Sequence, residues 1–254
     1  MVQAVHRAMR TLRELMGNPR GLGVTELADR LGMAKPTVHA LLRTLEAEQA
    51  VTQDAESGKY RLGPVLVALG NSYLDSHELR NRAHTWANLL ADRTGEAVWV
   101  GVLVDRQVLV VHHAFRPGGI ARVREAGATL PWNATALGKA IAAFSQEEVR
   151  AGLLAGAHPA PTGRTVTEAG ELARQLDRVR ETGHATEEHE LTLGDAGIAA
   201  PVLDQAGRPL GAVGVVGPVE RLCAVERAAE LAISVRETAR SVSFEFGAFR
   251  TVLR

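Results

Sequence analysis

The side chains with the clearest chemical capacity lie near the N-terminus, where cations and hydroxyls alternate with aliphatic residues. In GMAKPTVHALLRTLEAE, which begins at Gly32, the cations could bind phosphates and the polar groups could bind base edges. Such side chains need a helix that holds them on one exposed face. The candidates are Lys35, Pro36, Thr37, His39 and Arg43, with Thr25 upstream and Lys59 and Arg61 downstream.

Two short helices joined by a glycine would position these side chains. The stretch VTELADRLG has apolar residues at helical spacing, with Thr25 as a candidate N-cap and Gly32 as the stop. Residues 35–48 predict a second helix, and Pro36 is tolerated in its first turn. An earlier helix ends near Gly17.

The spacing of three residues is typical of a helix-turn-helix. Ala28 is small enough for a close helix crossing, Gly32 can adopt a positive φ, and Val38 can fill the interior of the second helix. The following stretches AVTQD and KYRLG flank a Ser57-Gly58 turn, which predicts a hairpin. This hairpin would be the wing of a winged helix and would carry the two downstream cations.

Bulk composition fits a cytoplasmic globular protein. The 254 residues allow one large domain or two modest ones, and 29 basic against 29 acidic residues exclude a polybasic, histone-like binder. A single cysteine, Cys223, excludes an internal disulfide. The charged N-terminus lacks a signal-peptide pattern, and apolar runs such as AVWVGVLV are too short to span a bilayer. We expect no membrane partner.

The remaining chain predicts a linker and an α+β domain. Residues 64–94 are helical in pattern, with Gly70 and Asp75-Ser76 as candidate breaks. From residue 96 onwards strands and helices follow, ending in a long helix from Val219. We therefore divide the chain into residues 1–63, a linker helix over residues 64–78, and a C-terminal domain over residues 79–254.

Several motifs together resemble the IclR family of bacterial transcriptional regulators. They are VQAVHRAMRTLREL, GVTELADRLGMAKPTVHALLRTLE, SGKYRLG, LPWNATALGKAIAA, RTVTEAGELARQLDRVRETGHA and GIAAPVLDQAGRPLGAVGVVGP. The resemblance covers almost the whole chain. It implies an α+β protein in which an N-terminal winged helix-turn-helix is joined by a linker helix to a C-terminal GAF-like α/β effector-binding domain. It also implies a homodimer or dimer of dimers on double-stranded operator DNA.

The resemblance also implies an effector pocket in the C-terminal domain. Its floor would contain Ala136, Leu137 and Gly138, and its acidic segment ATEEHE would contribute Glu187. The strands of the C-terminal hairpin would form a wall. There Gly197 stands where the family often has a cysteine, and Gly214 and Val216 stand where some members have serines. We expect that wall to be roomier and less polar than in those members.

An opposite wall can be predicted from the residues themselves. The segment VVHHAFRPGGIARVRE contains His112, His113, Arg116, Arg122 and Arg124. Because side chains alternate along a strand, only one of the two histidines faces inward. Arginine binds carboxylate or phosphate through two hydrogen bonds. We predict His112 and Arg122 as effector residues. The alternative is that these are solvated strand and loop residues.

Catalytic and metal sites are weakly indicated. Gly138-Lys139 is followed by Ala140, which departs from a phosphate-binding loop, and no G-x-S-x-G motif occurs. A charged strand end explains His184, Glu187, Glu188 and His189 better than a metal site does. Cys223 is expected to be a structural thiol, the alternative being a thiol activated at a helix N-terminus. We expect no catalytic residue, metal or cofactor.

These observations favour a ligand-responsive DNA-binding regulator, acting as a repressor of a catabolic operon. The segments VLVVHHAFRP and LPWNATALGKA are similar to those of the glycerol-operon regulators within the family. This similarity implies a small organic effector, either glycerol 3-phosphate or a small organic acid. The alternative is a metabolite-binding module or an enzyme in which residues 1–63 mediate assembly rather than DNA binding.

Overall fold

The computed structural model describes residues 2–116 and 126–248, and the chain divides into two compact units, Met1–Asp75 and Ser76–Arg254. The boundary between them falls inside the segment 64–78 that the sequence indicates as a linker. Each unit has its own buried core.

The first unit is a small helical bundle with a hairpin. Its helices are α1 (Gln3–Met16), α2 (Val24–Leu31), α3 (Lys35–Ala47) and α4 (Val65–Ser76), and its hairpin strands are β1 (Val51–Gln53) and β2 (Tyr60–Leu62). An isolated bridge pairs Leu22 with Tyr60 and ties the α1–α2 connection to the hairpin. The core contains Leu15, Leu22, Leu27, Ala28, Leu31, Val38, Leu42, Val51 and Tyr60.

The turn between α2 and α3 has the predicted geometry. Gly32 adopts a left-handed φ of 62°, and its N–H is hydrogen bonded to the carbonyls of Ala28 and Asp29. Ala28 and Val38 are buried, as a close helix crossing requires. The predicted N-cap is wrong, because α2 begins two residues earlier: Gly23 is the cap residue, and Thr25 lies exposed in the first turn.

The second unit is a six-stranded antiparallel sheet between two helical layers. Its strands are β3 (Ala97–Val104), β4 (Gln107–Ala114), β5 (Thr129–Pro131), β6 (Ala185–Glu188), β7 (Asp195–Leu203) and β8 (Pro209–Pro218), in the order β5-β4-β3-β8-β7-β6. Its helices are α5 (Glu78–Thr94), α6 (Ala136–Phe144), α7 (Glu147–Leu154), α8 (Ala169–Thr182), α9 (Val219–Leu222) and α10 (Val225–Glu245).

The two sheet faces are covered by different helices. Helices α5 and α10 pack on each other and on one face, whereas α6 and α8 pack on each other and α6 covers the other face. Small residues permit these contacts: a Cβ on Gly101 would lie 3.3 Å from Leu137 of α6, and one on Gly211 would lie 2.4 Å from Leu79 of α5.

Three local features differ from the sequence prediction. The C-terminal helix is interrupted at Cys223, so α9 and α10 replace one long helix. Gly70 lies inside α4, and the helical segment breaks at His77 instead. The short strand β5 and the 3-10 turn Trp132–Ala134 were not predicted. Both are only three residues long and carry no periodic pattern.

Candidate functional site

The exposed face of α3 carries the predicted polar residues. Val38 and Leu42 are fully buried and anchor the helix, whereas Lys35, His39 and Arg43 are exposed. Pro36 is exposed in the first turn and Thr37 is half-buried. Within the described residues, Lys35 and Arg43 form no ion pair, so both cations are available to an external anion.

The hairpin presents its two cations differently. Arg61 is exposed and its guanidinium lies 3.7 Å from the Asp54 carboxylate, whereas Lys59 is half-buried. The turn is ordered by Asp54, which accepts hydrogen bonds from the Ser57 N–H at 2.8 Å and the Ser57 hydroxyl at 2.7 Å. A surface pair of this kind is weak, so Arg61 can exchange its carboxylate partner for a phosphate.

Six of the predicted effector residues line one cavity in the second unit. The cavity has a volume of about 10 Å³ and lies between the N-terminal end of α6 and the inner face of the sheet. The strand register explains the grouping, since Glu187 pairs with Gly197 and Gly197 pairs with Val216. The six are Ala136, Leu137, Glu187, Gly197, Gly214 and Val216.

The sequence did not indicate several other lining residues. Trp99 pairs with Gly214 and therefore shares its face, and Leu191 comes from the loop after β6. Thr135 is the N-cap of α6, where its hydroxyl accepts the N–H of Gly138 at 3.0 Å. A Thr directly before an apolar helical run was the available signal for that residue. Trp99 could be assigned only once the strand register was known.

Gly138 supports the cavity from behind rather than lining it. A Cβ at this position would lie 2.2 Å from the Trp132 carbonyl oxygen. The glycine is therefore required by the close approach of α6 to the preceding 3-10 turn. The structure gives Gly138 a packing role, and its contact with the effector stays a prediction.

The structure places His113, and not His112, on the cavity face, which corrects the prediction for His112. The His112 ring lies 4.8 Å from the ring of His84 on α5, on the opposite side of the sheet. His113 pairs with Trp99, which lines the cavity. The cause is a register shift at Val100, where β4 has one residue more than β3. Such a bulge reverses the alternation of side chains beyond it.

His112 is instead a buried neutral residue. Burial, followed by the neighbouring His84, Arg80 and His113, lowers its pKa to about 4. Arg116 donates a hydrogen bond to the Gly95 carbonyl at 3.0 Å, which satisfies the C-terminal end of α5. The predicted effector residue Arg122, and Arg124 with it, lie outside the described residues.

Glu187 is the buried acid of the cavity. Its residue is 6% exposed, and its Oε2 atom accepts the N–H of Glu190 at 3.1 Å. Burial raises the pKa of this carboxyl to about 7, with Glu190 also raising it and Lys139 opposing the shift. At neutral pH the group therefore exchanges readily between its charged and uncharged forms.

A buried ion pair lies beside this carboxyl. Lys139 of α6 is 1% exposed, and its Nζ atom lies 2.5 Å from Oε1 of Glu190. The other oxygen of Glu190 accepts the Val166 N–H at 3.2 Å, and its backbone carbonyl accepts the Thr165 hydroxyl at 2.6 Å. Lys139 thus joins α6 to the loop after β6.

The cysteine is not an activated thiol. Burial, together with the neighbouring Glu188, raises the pKa of Cys223 to about 11, so the thiol is protonated at neutral pH. Over residues 2–116 and 126–248, no three His, Cys, Asp or Glu side chains are grouped as metal ligands. In the same ranges no helix has the length and apolar content needed to cross a bilayer.

Comparison with known proteins gives a family match in each part of the chain. Residues 4–55 match the IclR helix-turn-helix domain, and residues 71–244 match the C-terminal domain of bacterial IclR transcriptional regulators. The chain is 48% identical to the glycerol operon regulatory protein of Streptomyces griseus and 46% identical to that of Streptomyces coelicolor. Each of these matches covers 98% of both chains.

A solved structure supports the same assignment. The IclR transcriptional regulator of Alicyclobacillus acidocaldarius is 30% identical and superposes with a TM-score of 0.81, over 96% of this chain and 98% of that one. Two domain families in the expected order and full-length relatives agree with the fold described above. The chain therefore belongs to the IclR family and is a DNA-binding transcriptional regulator rather than an enzyme.

Proposed function

We propose that this protein represses a glycerol catabolic operon by binding its operator DNA and responding to a small organic effector. Two full-length relatives are named as glycerol operon regulatory proteins, and both are nearly half identical to this chain. The observation that carries the proposal is α3, whose buried Val38 and Leu42 leave unpaired cations exposed on the opposite side. The protein would act in the cytoplasm, where its DNA target lies.

The proposed DNA contacts are of two kinds, contacts in the major groove and contacts with phosphates. Thr37 and His39, with Lys35, Pro36 and Arg43, would enter the major groove on α3. Thr25 in the first turn of α2 and the two hairpin cations, Lys59 and Arg61, would bind phosphates.

The effector, glycerol 3-phosphate or a small organic acid, would bind at this cavity. The cavity has room for about one water molecule, at about 10 Å³, so it would have to open to admit the effector. Its binding would shift the population between dimer geometries that fit the operator differently. Residues 64–78 would be the linker helix that couples the two domains.

A homodimer, or a dimer of dimers, would present two recognition helices. Helix α4 has no buried residue, and its Val67 and Leu69 are 65% and 62% exposed. Helix α1 likewise exposes Val5 and Met16. Apolar helix faces of this kind are typical of subunit interfaces. A two-fold dimer would bind a pseudo-palindromic operator with half-sites one helical turn apart.

A gel-shift titration tests the regulator. The probe is the region upstream of the protein's own gene, and the competitor is a scrambled duplex of equal length. We expect a specific complex that weakens steeply with salt, because phosphate contacts release counterions. Arg43→Ala should weaken it, whereas Arg174→Ala, an exposed change on α8 of the second unit, should not. Equal competition by the scrambled duplex would favour an assembly role for residues 1–63.

A further inference from the structure

A second cavity in the second unit lies where strand β7 runs past the edge strand β6. Strand β6 pairs with β7 only up to Ala199, so Ala200 and Pro201 continue beyond it. The cavity formed there has a volume of about 120 Å³ and lies between the C-terminal ends of α6 and α8 and the middle of α10. It shares no described lining residue with the cavity that the predicted effector residues line.

Three arginines line this second cavity, which we call the arginine cavity: Arg180 of α8, and Arg236 and Arg240 of α10. The two on α10 are four residues apart and therefore lie on the same face of that helix. Among the described lining residues, Glu181 is the single acid. Within residues 2–116 and 126–248, none of the three arginines forms an ion pair. The lining therefore carries an excess of positive charge.

Capping of helix ends explains two of these arginines in part. The Nε atom of Arg180 donates a hydrogen bond to the Ala143 carbonyl of α6. An Nη atom of Arg236 donates to the Thr182 carbonyl of α8 at 3.0 Å. A guanidinium has five N–H donors, so one bond holds each side chain in place and leaves the other donors for a ligand. Arg240 donates no hydrogen bond among the described residues, so capping does not explain its position.

The floor of the arginine cavity is apolar. Ala200, Pro201 and Ala239 are buried there, and Phe144 is partly buried. Charges beside such a floor are screened less than charges on an open surface, so an anion gains more from the guanidiniums. One water needs roughly 10–15 Å³, so a cavity of about 120 Å³ has room for a tetrahedral phosphoryl group. The planar fork of arginine binds such a group through paired hydrogen bonds.

We propose that the arginine cavity binds a phosphoryl group, either of inorganic phosphate or of a small phosphate ester, through Arg180, Arg236 and Arg240. Such a group carries a charge of about −1.5 to −2 at neutral pH, which the guanidiniums neutralise. An ester places its organic part against Phe144. Because the arginines belong to α8 and α10 and one of them contacts the end of α6, the bound anion holds these three helices together. This site goes beyond the proposed regulator function and requires neither DNA nor an effector.

Calorimetric titration of the full-length protein at constant ionic strength tests the proposal. The probes are inorganic phosphate, ethyl phosphate and acetate, and acetate is the control because it has a lower charge and no tetrahedral group. We expect at least one of the two phosphates to bind on the order of tenfold or more tightly than acetate. Tighter binding of ethyl phosphate than of inorganic phosphate would identify an ester as the ligand, whereas equal or weaker binding would identify free phosphate.

Single variants separate this site from general surface charge. Arg240→Ala removes a guanidinium that caps no helix, so the protein should stay folded while phosphate binding weakens on the order of tenfold or more. Glu181→Gln removes a like charge and should tighten phosphate binding instead. Arg178→Ala is the matched control, since Arg178 is exposed on α8 and lies outside the arginine cavity. Thermal melts establish that each variant is folded.

The contrary results are distinct. Acetate binding as tight as that of both phosphates would overturn the proposal, as would the absence of binding by either phosphate in the millimolar range. Phosphate binding that is unchanged in Arg240→Ala would do the same. If no phosphate binds and Arg240→Ala loses affinity for the scrambled duplex, these arginines contact nucleic acid instead. The gel shift on the upstream region is independent of the calorimetry, so the regulator stands if the arginine cavity binds neither phosphate.

Discussion

At the residue scale, Glu187 illustrates how a buried acid can cost stability. An acid whose pKa rises from 4.5 to about 7 on folding binds its proton more tightly in the folded state. Its destabilising effect is absent below about pH 4, grows as the pH rises towards 7, and is complete above that. The full effect is about 3 kcal/mol, since each pKa unit corresponds to about 1.4 kcal/mol.

The first prediction follows from the raised pKa of Glu187, which destabilises the folded state at high pH. Glu187→Gln should raise the free energy of unfolding by about 1–3 kcal/mol at pH 8. Near pH 4 the gain should largely vanish, because Glu187 is protonated in both states. Urea unfolding followed by circular dichroism across this pH range provides the measurement. Wild type and variant curves that stay parallel from pH 4 to 8 would contradict the raised pKa.

A second prediction concerns the buried pair. Lys139→Met leaves the Glu190 carboxylate buried without its cation, which should cost about 3–5 kcal/mol. The double variant Lys139→Met/Glu190→Gln should recover part of the loss. Arg174→Ala is the matched control, since its exposed pair with Glu171 should contribute about 1 kcal/mol or less. Equal losses from the two single variants would refute the structural importance of the buried pair.

At the element scale, α3 and the hairpin should contribute differently to DNA binding. Thr37 lies on α3, where side chains can read base edges, whereas Lys59 lies on the hairpin beside the helix bundle. Thr37→Ala should relax the preference for the operator over point-mutated operators. Lys59→Ala should weaken all duplexes alike and reduce the salt slope by about 1. Filter binding over a salt series would measure the operator preference and the salt slope of both variants. If Thr37→Ala changed the salt slope and Lys59→Ala changed the operator preference, Thr37 would be the phosphate contact and Lys59 the base contact.

Helices with a regular spacing of apolar residues were predictable from the sequence. Which side chains of the sheet face the cavity was not. The apolar spacing of α2 and α3, with Gly32 between them, specifies the helix-turn-helix because few other residues tolerate its positive φ. Most of the predicted effector residues came from the family resemblance, and the sheet register brings six of them together. The choice between His112 and His113 failed because one extra residue in β4 reverses the faces, and no local residue pattern signals that bulge.

At the scale of the whole molecule, assembly should depend on the apolar helices of the first unit. Replacing the exposed Leu69 of α4 by glutamate introduces charge into the proposed interface without disturbing a buried core. We expect a shift towards monomer in sedimentation velocity and a loss of operator affinity, since one half-site binds alone. Leu193→Glu, 67% exposed in the second unit, is the control. An unchanged sedimentation coefficient for Leu69→Glu would exclude α4 from the interface.

Fluorescence anisotropy with a labelled duplex from the region upstream of the protein's own gene tests the ligand-responsive regulator most directly. The full-length protein should bind this duplex on the order of 10³-fold or more tightly than a scrambled one at the same salt concentration. Saturating glycerol 3-phosphate should then weaken the specific complex while leaving binding to the scrambled duplex unchanged. Equal affinity of the folded protein for both duplexes, with or without the ligand, would contradict the account.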